Sequence, residues 1–263
     1  MLRSMNTAAS GMHAQQSRID TIANNLANVN TAGFKKSRME FQDLLYENLS
    51  PAQAERADGT APPTRVEVGH GVKIVSAVRM QSEGTVSVTG NELDLFIQGD
   101  GFFQVQMPDG DIGYTRDGSF KLDRDRNVVT SSGYLMEPAI NVPEDAVSIG
   151  VSTDGRVEVV LAGDSGTAQQ IGQIQIARFN NPSGMSQQGE NVLMATPNSG
   201  VALPGNPGEE GYGSLQQGAL EMSNVDVATE LVDMITAQRA YELNSRTIQT
   251  ADDILSTVNQ LRR

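Results

Sequence analysis

Residues 225–263 read VDVATELVDMITAQRAYELNSRTIQTADDILSTVNQLRR, a run with neither proline nor glycine. Val227, Met234, Tyr241, Ile248 and Leu255 recur on a step of seven, with Leu231, Ala237, Asn244, Ala251 and Val258 beside them. That spacing predicts one long amphipathic helix with a coiled-coil-like seam. At 1.5 Å per residue it would run to roughly 55 Å. Ser223 or Asn224 is the predicted cap, and Asp226 and Glu230 stand where the helix dipole favours acids. Arg262 and Arg263 put the favourable sign at the other end.

The N-terminus answers in kind. Met5, Met12, Ile19 and Leu26 also step by seven, and Leu2, Ala9 and Ala23 fall at helical spacing around them. Asn28-Val29-Asn30-Thr31-Ala32-Gly33 predicts the stop, because Asn and Gly tolerate positive φ. Two helices from opposite ends of the chain predict an antiparallel pair. Each seam is narrow for so long a helix, so further partners, most simply other copies of the chain, are expected to cover more of the surface.

Between the helices the pattern turns to strands and turns. Leu95-Phe96-Ile97 and Phe102-Phe103-Gln104-Val105 are the densest apolar strand material. Residues Val151–Val159 predict a hairpin around Asp154-Gly155, and Gln173–Ile176 alternates like a half-buried strand. Asp109-Gly110 and Asp117-Gly118 are turn signals. Four prolines between Asn180 and Gly213 predict mostly loop, with a short strand at Val192–Met194. The stretch after the first helix opens apolar, at Phe41, Leu44, Leu45, Tyr46 and Leu49, and then carries Pro51, Pro62 and Pro63. The expected fold is therefore α+β. Residues 1–40 and 223–263 form a terminal helical domain packed as a coiled-coil-like pair, 41–72 an extended linking stretch, and 73–222 a β-rich domain.

Composition narrows the function. The 263 residues contain no Cys and no Trp, which removes disulfides and thiolate metal sites. The net charge is −13, distributed as +4 over 1–38, −15 over the middle and −2 over 223–263. Nucleic acid is a poor partner for such a balance, since phosphate contacts need clustered Lys and Arg. Apolar runs fall well short of the ~20 residues a bilayer requires, and polar residues from Asn6 to Gln16 interrupt any secretory signal of the Sec type.

Fragments of catalytic motifs do not hold together. Gly163-Asp164-Ser165-Gly166 matches the tetrapeptide around a serine nucleophile, but His13 and His70 are the only histidines and neither has a triad context. Asp123, Asp125 and Asn127 have calcium-loop spacing, yet the required Gly and Glu are replaced by Val128 and Tyr134, so a polar hairpin end is the better account. Gly99-Asp100-Gly101 lacks the third glycine of a dinucleotide fingerprint. Abundant carboxylates leave a hydrolase of the paired-carboxylate type open on composition, although sugar sites of that kind are usually lined with Trp and Tyr. The sequence thus calls for no enzyme activity, cofactor, metal or small-molecule substrate. A secreted hydrolase or adhesin with a β-rich body is the alternative of a different class.

Both ends and the centre carry a specific resemblance. Ala23-Asn24-Asn25-Leu26-Ala27-Asn28-Val29-Asn30-Thr31-Ala32-Gly33-Phe34-Lys35 closely resembles the N-terminal signature of the bacterial flagellar rod and hook family. Ser223–Asp226 and Met234–Asn244 resemble its C-terminal signature, and Gly99–Val105 and Tyr114–Phe120 its central ones. Hook subunits typically carry an additional outer domain for which this chain has no room, so a rod member is expected, with a proximal-rod or hook-like member as the alternative. The resemblance implies a straight, rigid, hollow shaft that crosses the periplasm, transmits torque from motor to hook and forms part of an export channel. It implies export through the flagellar type III apparatus and a helical homopolymer that meets proximal rod subunits, hook subunits and the surrounding basal-body rings. The residues expected to pack subunits together are Met5, Met12, Ile19, Leu26, Asn24, Asn25, Val227, Leu231, Met234, Gln238, Arg239, Tyr241, Ile248 and Leu255. Phe41, Leu44, Leu45 and Tyr46 are expected to begin a stiffening segment.

Overall fold

The computed structural model describes residues 2–48, 67–162 and 168–261. They divide into two units, the first made of 1–26, 37–78 and 226–263 and the second of 27–36 and 79–225.

The first unit contains α1 (Leu2–Ala27) and α2 (Val227–Leu261) with an antiparallel ribbon. The ribbon is built from β1 (Ser37–Asp43), β2 (Tyr46–Asn48), β3 (Glu67–Gly69) and β4 (Val72–Arg79). β1 pairs with β4, and β2 with β3 in the register Tyr46↔Gly69 and Asn48↔Glu67. The expected linking stretch thus begins and ends as paired strands, while Leu49, Pro51, Pro62 and Pro63 lie outside the described residues.

The second unit is a β body. Its strands are β5 (Val86–Val88), β6 (Leu95–Gln98), β7 (Phe102–Gln106), β8 (Ile112–Thr115), β9 (Lys121–Leu122), β10 (Val128–Val129), β11 (Leu135–Glu137) and β12 (Ala146–Val151). They continue with β13 (Arg156–Leu161), β14 (Ala168–Gln173), β15 (Ile176–Arg178), β16 (Ser186–Gly189), β17 (Val192–Met194), β18 (Leu203–Gly205), β19 (Ser214–Gln217) and β20 (Ala219–Glu221). The main sheet runs β16-β17-β8-β7-β11-β10-β9, with β15 bridging β7 and β18. A second sheet is β12-β13-β14, and β6–β19 and β5–β20 are separate pairs.

Period-2 alternation explains how β7 serves two cores. Phe103 is fully buried, meeting the Phe120 ring edge-on at 5.1 Å among Ile97, Val159, Ile176 and Leu215. Phe102 points to the other cluster, with Tyr114, Phe179 and Met185. Aromatic and β-branched side chains dominate both clusters, which is why these short strands hold.

Local expectations met the structure unevenly. The hairpin around Asp154-Gly155 is β12–β13, with Gly155 at φ +84. Asp109-Gly110 turns between β7 and β8, Gly110 N–H donating to Met107 O at 3.0 Å. The expected strand Gln173–Ile176 is broken: β14 ends at Gln173, and Ile176 opens β15 on a different sheet. Its buried Ile174 lies in the gap and packs into the core cluster there, so alternation survived across a change of sheet. Residues 180–213 hold more structure than four prolines suggested. A 3-10 turn at Pro182–Gly184, β16 and β18 join the expected β17. Pro204 fits there because β18 pairs with β15 alone in the sheet order.

Candidate assembly interface

The start of α2 is set by one carboxylate. Asp226 Oδ1 accepts from Ala228 N–H at 3.1 Å, and its Oδ2 accepts from the Thr229 hydroxyl at 2.7 Å. Asp226 is therefore the N-cap, one of the residue types whose side chain satisfies an orphan amide of the first turn. This corrects the expectation of Ser223 or Asn224. The Asn224 side chain is engaged elsewhere in the second unit, accepting from Lys36 N–H at 2.8 Å and donating to Met80 O and Ser82 O.

Within the first unit the helices run in opposite directions, as three approaches show. Asn25 Nδ2 donates to Glu230 Oε2 at 3.2 Å, Arg18 pairs with Asp233 at 2.9 Å, and Gly11 faces Asn244. A Cβ on Gly11 would stand 2.8 Å from Asn244 Nδ2, so the glycine admits a close approach. Asn25 is 2% exposed and also exchanges two hydrogen bonds with the backbone of Ser37, tying the end of α1 to the start of β1.

Burial follows the other half of each heptad. The buried residues are Ala8, Ala14, Ile22 and Asn25 on α1, and Glu230, Ala237 and Ala251 on α2. The step-of-seven residues Met5, Met12, Ile19, Leu26, Met234, Ile248 and Leu255 are half-buried. Val227, Leu231, Gln238, Arg239 and Tyr241 are exposed, as is Asn24 on α1. Beyond them Val232, Ile235, Leu243 and Val258 are each more than half exposed. Ile235, Gln238, Arg239, Glu242, Leu243 and Arg246 frame a shallow open groove along α2.

The ribbon is also apolar on its surface. Leu45 is 88% exposed, and Tyr46, Ile74 and Val75 are exposed beside it, while Phe41 and Leu44 are half-buried. It is fixed to α1 at two points: Arg3 pairs with Glu47 at 2.5 Å, and Val72 N–H donates to Ser10 Oγ at 3.3 Å. Gly71, at φ +109, has Ser10 Oγ where a Cβ would sit.

The second unit buries a charge cluster that periodicity did not reveal. Lys35 Nζ binds Glu221 Oε1 and donates to Ser82 O at 2.8 Å. Arg116 Nε faces Glu221 Oε2 at 3.1 Å, and its two terminal nitrogens donate to Gly101 O and Gly99 O. All three charged side chains are less than a tenth exposed. Burial pulls the Lys35 ammonium below its ordinary pKa of 10.5, against the opposing pull of Glu221; the Arg116 charge adds to the lowering. The available signal was a cation inside each of two otherwise apolar or turn-rich motifs, Gly33-Phe34-Lys35 and Tyr114-Thr115-Arg116.

The motif fragments set aside above fall in ordinary places. Residues 163–166 lie outside the described residues. Asp123 and Asn127 close the β9–β10 hairpin, Asp123 N–H donating to Asn127 O at 3.0 Å. His13 is exposed, and His70 lies 3.6 Å from Glu47. Among the described residues no group of His, Asp and Glu is placed to hold a metal ion, and no helix is long and apolar enough to cross a membrane.

Comparison with known proteins matches both ends and the middle of the chain. Residues 5–35 match the flagella basal body rod protein family, 96–159 the flagellar hook protein FlgE/F/G D1 domain, and 216–261 the flagellar basal body rod FlgEFG protein C-terminal domain. The flagellar basal-body rod protein FlgG of Borreliella burgdorferi is 49% identical over the full length of both chains. The FlgG proteins of Caulobacter vibrioides and Bacillus subtilis are 45% and 40% identical, over 99% and 100% of this chain and all of theirs. With an amphipathic helix at each end, a β body between them and full-length identity of this order, the chain belongs to the flagellar basal-body rod and hook family.

Proposed function

We propose that this chain, a structural subunit of the distal rod, polymerises through the exposed apolar face of α2, joined by the half-buried seam residues of both helices, rather than acting on any substrate. The observation that carries the reading is the unspent apolar surface of α2: Val227, Leu231, Val232, Ile235, Leu243, Ile254 and Val258 are all more than 40% exposed. A soluble monomer gains nothing from such a surface, whereas each buried Leu or Ile in a polymer contributes roughly 1.5–3 kcal/mol. The half-buried residues Met5, Met12, Ile19, Leu26, Met234, Ile248 and Leu255 would close as a coiled-coil-like seam, within a chain or between chains. Asn24, Gln238 and Arg239 would supply polar contacts between copies, while the Asn25 amide is committed within its own chain.

In this account residues 1–40 and 223–263 form the tube wall, 73–222 the outward β-rich domain, and 41–72 the stiffening stretch between them. The shaft meets proximal rod subunits at one end and hook subunits at the other, inside the basal-body rings, and type III export supplies its subunits. Leu45, Tyr46, Ile74 and Val75 on the ribbon would lie across neighbouring copies and limit sliding. The test is electron microscopy of the purified chain after concentration. Straight hollow filaments are expected, and Leu231→Asp or Ile235→Asp should abolish them while leaving the far-ultraviolet circular dichroism of the monomer unchanged, because a charge buried without a partner is costly. Filaments from either variant as abundant as wild type would remove the helical face from the account.

A further inference from the structure

Three separate segments of the second unit interleave around Glu221. Gly33 N–H donates to Glu221 O at 2.8 Å, and Lys36 O accepts from Met80 N–H at 2.9 Å. Met222 N–H donates to Thr85 O at 2.8 Å, and Gly84 N–H to Glu221 Oε1 at 3.0 Å. Asn224 then spans the other two segments, through Lys36 on one side and Met80 and Ser82 on the other. Space is as tight as the bonding. A Cβ on Gly84 would meet Met222 O at 1.8 Å, and one on Gly33, at φ +69, would meet Asp117 N at 2.6 Å.

The charges make these contacts interdependent. With residues 33–36 unseated, Glu221 loses the Lys35 ammonium and one of the groups that satisfy it. With β20 unseated, Lys35 and Arg116 are left facing each other in a buried site without the carboxylate between them. Without β20 the site holds two cations and no carboxylate. Without residues 33–36 Glu221 keeps Arg116 and Gly84 N–H but loses the Lys35 ammonium, and its backbone O loses Gly33 N–H. Each half-assembled state leaves buried polar groups short of partners, at a cost the complete cluster avoids.

We propose that the Lys35–Glu221–Arg116 cluster is a closure latch, which makes the segment following α1 and the segment preceding α2 seat in the β body as a single event. The two chain ends are then both anchored or both released, and a chain missing either stretch leaves the other unseated. A chain delivered from one end therefore completes this unit only when residue 221 has arrived.

The test is native-state hydrogen exchange on the full-length wild-type chain across a series of sub-denaturing urea concentrations. Amides of 33–36, 80–85 and 221–225 should merge into one opening isotherm, distinct from that of β7 and β13. Different urea dependences for the 33–36 and 221–225 amides would overturn the latch. A second arm uses Gly33→Ala, whose added Cβ, at φ +69, strains the N-terminal segment and presses on the Arg116–Asp117 backbone while its nearest contacts lie outside 221–225. Exchange at 221–225 should rise about as much as at 33–36, by roughly tenfold or more, with β13 still protected. A rise confined to the neighbourhood of residue 33 would equally overturn it. Should the variant lose protection throughout, the wild-type isotherms decide.

Discussion

Asp226 shows how a single side chain places an element. Ser223 and Asn224 were the expected caps, and Asp226 was expected only as an acid near the positive end of the helix dipole. The choice was made in three dimensions, because Asn224 is recruited by Lys36, Met80 and Ser82. Asp226→Ala should destabilise the first turn of α2 by about 1 kcal/mol, read as faster amide exchange at Ala228 and Thr229. Lys35 makes a prediction of unusual sign. The unfolded chain keeps this lysine protonated up to about its ordinary value, while the folded chain releases the proton at lower pH. Between those two values the unfolded state binds more protons, so stability rises with pH there; below the folded pKa the burial penalty is fully present. Urea unfolding in steps toward pH 10.5 should show that rise in the wild type and not in Lys35→Met. Equal slopes in both proteins would place the titration elsewhere. The sequence offered Lys35 only as part of a resemblance, since a buried cation has no periodicity and its partner is a distant glutamate.

At the scale of elements, both helices were legible because a period of seven repeats over many turns and nothing interrupts it. The depth of each residue was less so. Heptads have two apolar lines, and in each helix the line three residues from the obvious one is buried deeper, using Ala8, Ile22, Ala237 and Ala251. Small residues let the backbones approach but give a weak signal in the sequence. Strands were legible where apolar residues were dense, at β6 and β7, and misread where the chain changes sheet between β14 and β15. The ribbon was the least legible element, because β1 pairs with β4 and β2 with β3 across a long intervening stretch and not across a short turn. Its exposed Leu45, Tyr46, Ile74 and Val75 make it the candidate stiffening element. Removing about half of residues 41–71 should still permit assembly and give curved or more flexible filaments by electron microscopy. Filaments as straight as the wild type would show that the ribbon does not set stiffness.

On the scale of the whole chain, apolar surface is spent in one unit and held back in the other. The β body closes around Phe103, Phe120, Ile176 and Leu215 and needs no partner to do so. The helical unit buries mainly alanines, one isoleucine and two polar side chains, and leaves its larger apolar residues half or fully exposed. Composition foretold this division poorly, because overall hydrophobic content says nothing of where it lies; patterning along the termini foretold it well. The central claim is that the apolar residues these helices leave half or fully exposed in the single chain become buried only in the polymer. It is tested most directly by amide hydrogen exchange on the same chain, dilute and polymerised. The account predicts low protection in α1 and α2 of the monomer, roughly tenfold or greater slowing there on assembly, and little change in β7 and β13. Strong protection of both helices in monomer kept free of oligomers, unchanged on assembly, would contradict it.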